Sequence, residues 1–417
     1  CGSIRHMLQS KLFTKTKKEA PADEVSQNAE LLIRGGFIHK EMAGVYSYLP
    51  LGLKVMSKII GIIREEMNAI GGQEVTLSSL QEKATWEPTN QWDDAQVDVW
   101  FKTKLKNETE LGLAVTHEPA MTNMLKGFVQ SYRDLPQYVY QFQTKFRNET
   151  RAKSGIMRCR EFIMKDLYSF DIDEKAHLDF YEKTKVAYKN IFQRAGIGHL
   201  TYFTFASGGM FSKFSHEYQT VTGAGEDTIY IDESKGIALN KEVYNDEVIA
   251  SLGLSKDTLV EQRAVEVGNI FTLGTRFSDA LDLKFQTEEG ESKSVFMGSY
   301  GIGPGRLMGT IVEVLSDDKG IIWPEEVAPF KMHILALGAG NDSGAEAMTK
   351  ASELYETLTQ KGIEVLFDDR TGLSAGEKFA DADLLGLPYR IVVSERSLKE
   401  GGYEIKRRVE DKGKIVS

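Results

Sequence analysis

Apolar residues repeat at two different spacings along the first three quarters of the chain, and these spacings predict its secondary structure. Eight apolar residues from Leu53 to Met67 recur at helical spacing before Gly71 and Gly72, which predicts a helix over residues 51–70. Residues 138–147 alternate β-forming side chains and a glycine-containing loop returns the chain to 161–164, which predicts a hairpin. The other predicted elements are strands at 74–77, 111–116, 201–205, 227–231, 264–273 and 294–298 and helices at 121–132, 171–194 and 301–315. Strands joined by hairpins and single helices predict an α+β fold with an antiparallel sheet.

Two further segments of this region have weaker patterns. The Gly-, Ser- and Phe-rich stretch that ends at Tyr218 is predicted to be a loop. Residues 232–262 are charged and lack a strong β pattern, which predicts a small surface insertion.

The pattern changes around residues 323–329, where prolines interrupt it. Beyond this point the predicted strands 331–337, 363–367 and 389–393 alternate with predicted helices 345–360 and 375–385. This alternation predicts an α/β module with a mainly parallel sheet, and a domain boundary near residue 328.

Composition indicates a soluble globular protein, with 417 residues of which 41% are hydrophobic and 27% charged. No apolar run approaches the eighteen residues of a membrane span, so no membrane association is expected. Residues 1–6 are interpreted as a vector-derived remnant ahead of a natural start at Met7. Cys159 is then the only native cysteine, which argues against disulfides and cysteine zinc sites and predicts a cytoplasmic protein. The net charge of −10 does not by itself indicate nucleic-acid binding.

The predicted hairpin concentrates arginines in a short stretch. They are Arg147, Arg151, Arg158 and Arg160, with Glu149 among them. An arginine fork matches phosphate oxygens and a nearby carboxylate can accept from an adenine amine, so the hairpin is interpreted as a nucleotide clamp. The alternative is a solvated, salt-bridged hairpin.

A second element supports the nucleotide clamp. The sequence GIGPGR places Arg306 at the start of a predicted helix, where the helix dipole favours phosphate. A glycine-rich turn alone is a weak signal, but an FRxE hairpin followed about 150 residues later by GxGxxR is far more specific.

This pair of motifs resembles motifs 2 and 3 of the class II aminoacyl-tRNA synthetases, and the helix over residues 51–70 with the following strand resembles motif 1. Within the class, the chain resembles the bacterial-type prolyl-tRNA synthetases. The stretches that carry the resemblance are Thr116-His117-Glu118 and residues 143–147, 157–166, 225–227, 267–275, 300–303, 368–370, 379–381 and 386–388. The resemblance covers the chain from about residue 8. It implies a class II catalytic domain over residues 7–327 and an anticodon-binding domain over residues 328–417.

The chain departs from the bacterial family pattern at two places. Only the short segment 232–262 stands where many bacterial members carry an inserted domain that hydrolyses alanyl-tRNA, and this segment is too short to fold a second active site. The resemblance is therefore to the short members that lack this editing domain. Ser78 stands near the place of the proline that usually ends the motif 1 strand at the dimer interface.

The resemblance implies that the protein forms prolyl-adenylate from L-proline and ATP and transfers proline to tRNA(Pro). Arg147, bridging the α-phosphate and the proline carboxylate, and Arg306, holding the γ-phosphate, are the predicted catalytic residues. The predicted ATP-binding residues are Arg147, Glu149, Arg158, Phe162, Gly303 and Arg306. The predicted proline-binding residues are Thr116, Glu118, Arg147 and His216. Mg²⁺ is expected mainly on the nucleotide, with Glu266 as a possible protein ligand; the alternative is a solvent-facing strand glutamate.

The resemblance also implies partners. These are tRNA(Pro), a second copy of the chain in a homodimer and, because no editing domain is present, a free-standing deacylase for Ala-tRNA(Pro). Two alternative functions remain at this point. One is a catalytically inactive paralogue that binds tRNA, although such paralogues typically lose one of the two arginines. The other is a class II synthetase for threonine or glycine, against which the Thr116-His117-Glu118 turn argues.

Overall fold

The structure is a computed structural model that describes residues 6–22, 24–150, 152, 154–207, 214–338 and 342–417. Its α-helices, in chain order, are α1 Gln27–Arg34, α2 Pro50–Ala69, α3 Lys83–Trp86, α4 Glu118–Leu125, α5 Glu174–Arg194, α6 Asp246–Ser251, α7 Arg276–Leu281, α8 Pro304–Val314, α9 Asp342–Gln360, α10 Ala375–Leu385 and α11 Glu395–Lys399. Within the described part of the chain, no helix is long and apolar enough to cross a membrane.

The strands fall into two larger sheets and several small ones. In chain order they are β1 His6–Leu8, β2 Ile38–Met42, β3 Val45–Tyr48, β4 Gln73–Glu74, β5 Leu80–Glu82, β6 Phe101–Lys104, β7 Glu110–Leu113, β8 Gln137–Phe146, β9 Glu161–Asp171, β10 Thr201–Ser207, β11 Phe214–Val221, β12 Asp227–Asp232, β13 Ile237–Asn240, β14 Val260–Gly274, β15 Lys284–Gln286, β16 Ser292–Ser294, β17 Phe296–Ile302, β18 Ser316–Asp317, β19 Gly320–Ile321, β20 Met332–Ala336, β21 Val365–Asp368, β22 Tyr389–Val393, β23 Tyr403–Arg407 and β24 Lys414–Val416.

The chain divides into two units. One comprises Met42–Val45 and Ile60–Thr310, and the other comprises the chain up to Glu41, Tyr46–Ile59 and Ile311–Ser417. The predicted domain boundary near residue 328 stays a prediction.

The first unit is built on a nine-stranded sheet with the order β11-β10-β13-β12-β14-β17-β9-β8-β4. Its central pairs, from β12 to β8, are antiparallel, as the sequence predicts. Helix α5 packs against one face of the sheet: Phe180 stacks on Tyr138 of β8 with ring centroids 3.6 Å apart and lies 5.5 Å from Tyr300 of β17. Asp173 caps α5 by accepting from the Ala176 backbone N–H at 2.8 Å.

The structure corrects three of the predicted elements in this unit. Residues 214–218, at the end of the predicted loop, belong to strand β11, which pairs with both β10 and β14, and residues 208–213 of that prediction lie outside the described residues. The stretch 232–262 is not only a surface insertion, since β13 joins the sheet between β10 and β12. Helix α4 stops at Leu125 instead of continuing to residue 132, since Gly127 lies directly after its C-cap, Lys126.

The second unit contains a six-stranded sheet with the order β1-β21-β20-β22-β23-β24. Strands β1, β21, β20 and β22 are parallel, which agrees with the predicted α/β alternation, whereas β23 and β24 add antiparallel. Helix α9 packs Ala347 and Ala351 on buried Ile334, Val365 and Ile391 of this sheet. The sequence prediction missed β1, β23 and β24.

Candidate active site

The arginine hairpin is formed by β8 and β9. Its register runs from Gln137 opposite Phe170 to Phe146 opposite Glu161, and the Arg147 backbone N–H continues the ladder to the Arg160 carbonyl at 2.8 Å. This long antiparallel pairing gives the base of the connecting loop a defined position on the sheet. The hairpin predicted from the sequence is confirmed, and Arg151 of its loop lies outside the described residues.

Arg147 lies at the end of β8 over an aromatic ring. Its Nε donates to the Val115 carbonyl at 3.4 Å and its guanidinium is centred 5.3 Å above the Phe162 ring. Burial lowers the pKa of Arg147 and the Arg306 guanidinium lowers it further, while three surrounding carboxylates, Glu266, Glu118 and Glu149, raise it. An arginine stays protonated under such shifts, so this half-buried residue is a fixed cation.

Arg306 is held at the start of α8. Its Nε donates to the Met157 carbonyl at 2.9 Å and its Nη1 to the Glu266 carbonyl at 3.0 Å. Gly301, in the preceding strand β17, allows a close approach: a Cβ there would meet the Asn269 Oδ1 at 2.8 Å, and the Gly301 N–H donates to that oxygen at 3.1 Å. The two predicted catalytic arginines therefore reach one cleft from different elements, Arg147 from the end of β8 and Arg306 from the start of α8.

Arg158 binds two carboxylates at the mouth of this cleft. It donates to Glu149 Oε2 from Nε and Nη2, and to Glu226 Oε2 from Nη1 at 2.7 Å. These hydrogen bonds raise the pKa of Arg158. Arg160 has a different position, because it donates to the carbonyls of Glu149 at 3.1 Å and Ala43 at 2.6 Å. Arg160 therefore has a structural role in the hairpin. This agrees with the alternative to a nucleotide clamp that the sequence left open.

The cleft brings together the residues predicted for ATP. Its lining includes Arg147, Glu149, Arg158, Phe162, Gly303 and Arg306, and also Glu266. The structure therefore places all six predicted ATP-binding residues around one opening on the sheet face opposite α5. Their contacts with a nucleotide stay predictions.

Thr116 and Glu118 form a hydrogen-bonded pair at the start of α4. The Thr116 hydroxyl donates to Glu118 Oε2 at 2.5 Å, and Glu118 Oε1 lies 3.5 Å from the Ser299 hydroxyl of β17. Burial raises the pKa of Glu118, and the Thr116 hydrogen bond opposes this rise. The structure places the carboxylate and the hydroxyl side by side, as the sequence predicts, and their contact with proline stays a prediction.

His216 lies elsewhere on the sheet. Its Nδ1 is 2.5 Å from the Tyr181 hydroxyl of α5, and its ring stacks on Phe203 with centroids 4.5 Å apart. His216 pairs with Ile270, whereas Ser299 pairs with the next residue, Phe271, so strand alternation puts their side chains on opposite faces. Among the described residues, the structure brings His216 to α5 and not to the Thr116–Glu118 pair. Its predicted contact with proline stays untested.

The sequence prediction missed a buried polar cluster beneath the turn that carries Thr116 and Glu118. The cluster is formed by His117, Lys145 and Asp166. One available signal is that Lys145 is two residues before Arg147 on a strand, so both share a face.

Glu266 is the predicted protein ligand for Mg²⁺. Its Oε1 accepts from the Asn269 amide at 2.8 Å and its Oε2 lies 3.5 Å from Arg306 Nη1. Among the described residues, no group of three or more His, Cys, Asp or Glu could hold a metal ion. A single oriented carboxylate beside Arg306, the predicted phosphate-binding residue, nevertheless fits Mg²⁺, which takes one or two carboxylates together with substrate phosphates and water.

Sequence relatives identify the family. Residues 101–315 match the model of the tRNA synthetase class II core domain (G, H, P, S and T), and residues 327–417 match that of the anticodon binding domain. The proline–tRNA ligase of Azorhizobium caulinodans is 35% identical over 438 residues, covering 99% of this chain and 98% of that protein. The proline–tRNA ligase of Hyphomonas neptunium is 37% identical, with 96% and 95% covered. This chain belongs to the proline–tRNA ligase family.

The fold comparison agrees with this assignment. A solved structure of Giardia lamblia prolyl-tRNA synthetase in complex with prolyl-adenylate matches with a TM-score of 0.77 and 20% identity, covering 93% of this chain and 73% of that one. The family resemblance, the α+β class II core and the added anticodon-binding domain are confirmed. Because the chain spans nearly the full length of its relatives, it is a form without a large inserted domain. Use of ATP follows from the class II core.

Proposed function

We propose that this protein is a prolyl-tRNA synthetase that activates L-proline with ATP and transfers it to tRNA(Pro). The observation that carries the proposal is the arrangement of Arg147, Arg306 and the Thr116–Glu118 pair around one sheet face. Two fixed cations suit a bent triphosphate, and a carboxylate with a hydroxyl suits the secondary ammonium of proline. The family membership of the chain supports the same activity.

In the first step, a proline carboxylate oxygen attacks the α-phosphorus of ATP and pyrophosphate leaves. Arg147 contacts the α-phosphate and the proline carboxylate, and its charge stabilises the negative charge that develops in the transition state. Arg306 holds the γ-phosphate, and Glu149 accepts from the adenine amine. Since this transfer needs little covalent participation by the protein, catalysis rests on positioning and electrostatics.

In the second step, the terminal ribose hydroxyl of tRNA(Pro) attacks the carbonyl carbon of prolyl-adenylate and AMP leaves. The anticodon-binding domain, matched at residues 327–417, supports a role in tRNA recognition. Within this domain, Lys378 is buried and donates to the Ala336 carbonyl at 2.9 Å, so it is not available to RNA. Arg370 is held by Asp368 and Asp381.

Mg²⁺ bound by Glu266 and the nucleotide phosphates would neutralise charge on the β- and γ-phosphates.

The proposal further includes a catalytic domain over residues 7–327, an anticodon-binding domain over residues 328–417, a homodimer and a cytoplasmic location. It also includes a separate deacylase for Ala-tRNA(Pro), supported by the absence of a large inserted domain. ATP–pyrophosphate exchange with a panel of amino acids tests the central activity, which requires exchange that depends on proline.

A further inference from the structure

Three buried polar side chains form a hydrogen-bonded cluster beneath the Thr116–Glu118 turn, and the mechanism above gives them no role. Lys145 Nζ lies 2.6 Å from His117 Nδ1 and 2.7 Å from Asp166 Oδ1. Lys145 and His117 are fully buried, and Asp166 is 3% exposed. Burying a lysine and an aspartate is costly unless their geometry is good, so such a cluster calls for a specific explanation.

The protonation state of His117 follows from its surroundings. Burial and the Lys145 charge lower its pKa to about 4, so the ring is neutral near pH 7. Its Nε2 lies 3.1 Å from the Ser78 carbonyl, which can only accept. Nε2 therefore carries the proton, and Nδ1 accepts from the Lys145 ammonium. Two hydrogen bonds thus fix both the tautomer and the orientation of the ring.

The second carboxylate oxygen of Asp166, Oδ2, is also fixed by hydrogen bonds. Its Oδ2 accepts from the Gln141 amide at 3.0 Å and from the Tyr168 hydroxyl at 3.0 Å. Gln141 in turn accepts from the Leu77 backbone N–H at 2.9 Å through its own carbonyl oxygen. A buried network in which each of these side-chain nitrogen and oxygen atoms has a partner is rigid, and it links β8 and β9 to the chain at residues 77–78.

The cluster connects two parts of the predicted proline site, the Thr116–Glu118 pair and Arg147. His117 stands between Thr116 and Glu118 in sequence, and Lys145 is two residues before Arg147 on the same face of β8. The ammonium and the carboxylate of proline are bonded to the same carbon, so Glu118 and Arg147 must keep a fixed separation. Misplacement by about 1 Å can cost a factor of about 100 in rate.

We infer that His117, Lys145 and Asp166 are positioning residues for proline, which hold Glu118 at a fixed distance from Arg147 through the Lys145–His117 hydrogen bond. The inference rests on the proposed function and adds to it the device that aligns the amino acid. It concerns the position of Glu118 relative to Arg147, because Arg147, Arg306 and Glu149, which are predicted to contact ATP, each have separate anchoring contacts.

Two substitutions of His117 separate its two hydrogen bonds. The side-chain oxygen of Asn can take the place of Nδ1, so His117→Asn keeps an acceptor for Lys145 and loses the donor to Ser78. His117→Gln places an amide N–H near Nε2, so it keeps the donor to Ser78 and loses the acceptor for Lys145. Lys145→Met removes the donor of the Lys145–His117 hydrogen bond, so it breaks the same interaction as His117→Gln.

A second buried lysine provides the matched control. Lys165 is fully buried on β9, and its Nζ donates to the Tyr188 hydroxyl at 2.7 Å and the Tyr300 carbonyl at 2.8 Å, on the α5 side of the sheet. Lys165→Met therefore perturbs the same fold and removes none of the hydrogen bonds of the cluster. Thermal unfolding of each variant shows how much stability it has lost.

The readout is KM for proline and KM for ATP in ATP–pyrophosphate exchange with the full-length protein. We expect His117→Gln and Lys145→Met to raise KM for proline at least about tenfold while KM for ATP changes by less than about twofold. His117→Asn and Lys165→Met should keep KM for proline near the wild-type value. Unchanged KM for proline in His117→Gln, or equal rises in His117→Gln and His117→Asn, would overturn the inference. A wild-type protein without proline-dependent exchange would instead refute the proposed function.

Discussion

Arg158 donates two hydrogen bonds to a single oxygen of Glu149, from Nε at 3.2 Å and from Nη2 at 2.8 Å. The arrangement orients the carboxylate in the cleft before a nucleotide enters. An ionised carboxylate has about four acceptor positions, so the pairing leaves acceptors for an adenine amine. Arg158 thus places Glu149 for the recognition proposed for it.

Glu149→Gln tests this recognition. The substitution removes the charge that holds Arg158 and weakens the acceptor, so KM for ATP should rise about tenfold with little change in KM for proline. Glu226→Gln is the matched control, since it removes the other carboxylate partner of Arg158. Equal increases of KM for ATP in the two variants would contradict direct contact between Glu149 and the nucleotide.

Arg147→Ala tests the central cation. Removing a charge placed at the reacting phosphate should lower the proline-dependent exchange rate by a factor of about 100 or more. Arg133→Ala removes an exposed arginine that is not among the residues lining the cleft, and it should leave exchange unchanged. Circular dichroism and thermal unfolding of both variants check the fold. Retained exchange in a folded Arg147→Ala protein would rule out its catalytic role.

Much of the fold was predictable because its signals are local. The alternation in residues 138–147, the glycines after Met67 and the GIGPGR turn each specify an element from neighbouring residues, and the structure has β8, α2 and α8 there. The same local motifs also indicated which residues meet in the cleft, because β8, β9 and β17 are neighbours in the sheet.

The remainder depends on pairings between distant segments. Strand β1 is three residues long and is stabilised by parallel pairing with Val365–Asp368, which no local pattern predicts. Strand β13 is a short apolar stretch between charged residues, and it is recognisable only through its pairing with β10 and β12. The cluster of His117, Lys145 and Asp166 likewise requires the β8–β9 register, which brings Gln141 opposite Asp166.

Mischarging with alanine is expected from the absence of an editing domain. Alanine fits a pocket built for proline, and the two missing methylenes are worth only a few kcal/mol, roughly 1–3 per methylene. The enzyme alone should therefore activate alanine and accumulate Ala-tRNA(Pro) at saturating alanine. Acid-gel or chromatographic analysis of the charged tRNA measures this product. Absence of Ala-tRNA(Pro) under these conditions would remove the reason for a separate deacylase.

The stability of the protein should depend on pH through His117. Its pKa is about 4 in the folded state, against about 6.5 for an unperturbed histidine. Between these values the unfolded state binds more protons, so this residue lowers the free energy of unfolding as pH falls from about 6.5 to about 4. Asn does not titrate, so His117→Asn should lose that part of the dependence.

Urea unfolding of the wild type and of His117→Asn at about pH 7.5 and about pH 5 measures this effect. The stability of the wild type relative to the variant should be greater at the higher pH. The same difference at both pH values would show that His117 is not held neutral by its burial.

The most direct test of the proposed function is wild-type ATP–pyrophosphate exchange with proline, alanine, threonine and glycine supplied separately. The account predicts saturable exchange with proline, at a kcat/KM at least about 100-fold above that for threonine or glycine. Exchange that does not depend on proline, or that is faster with threonine or glycine, would contradict it.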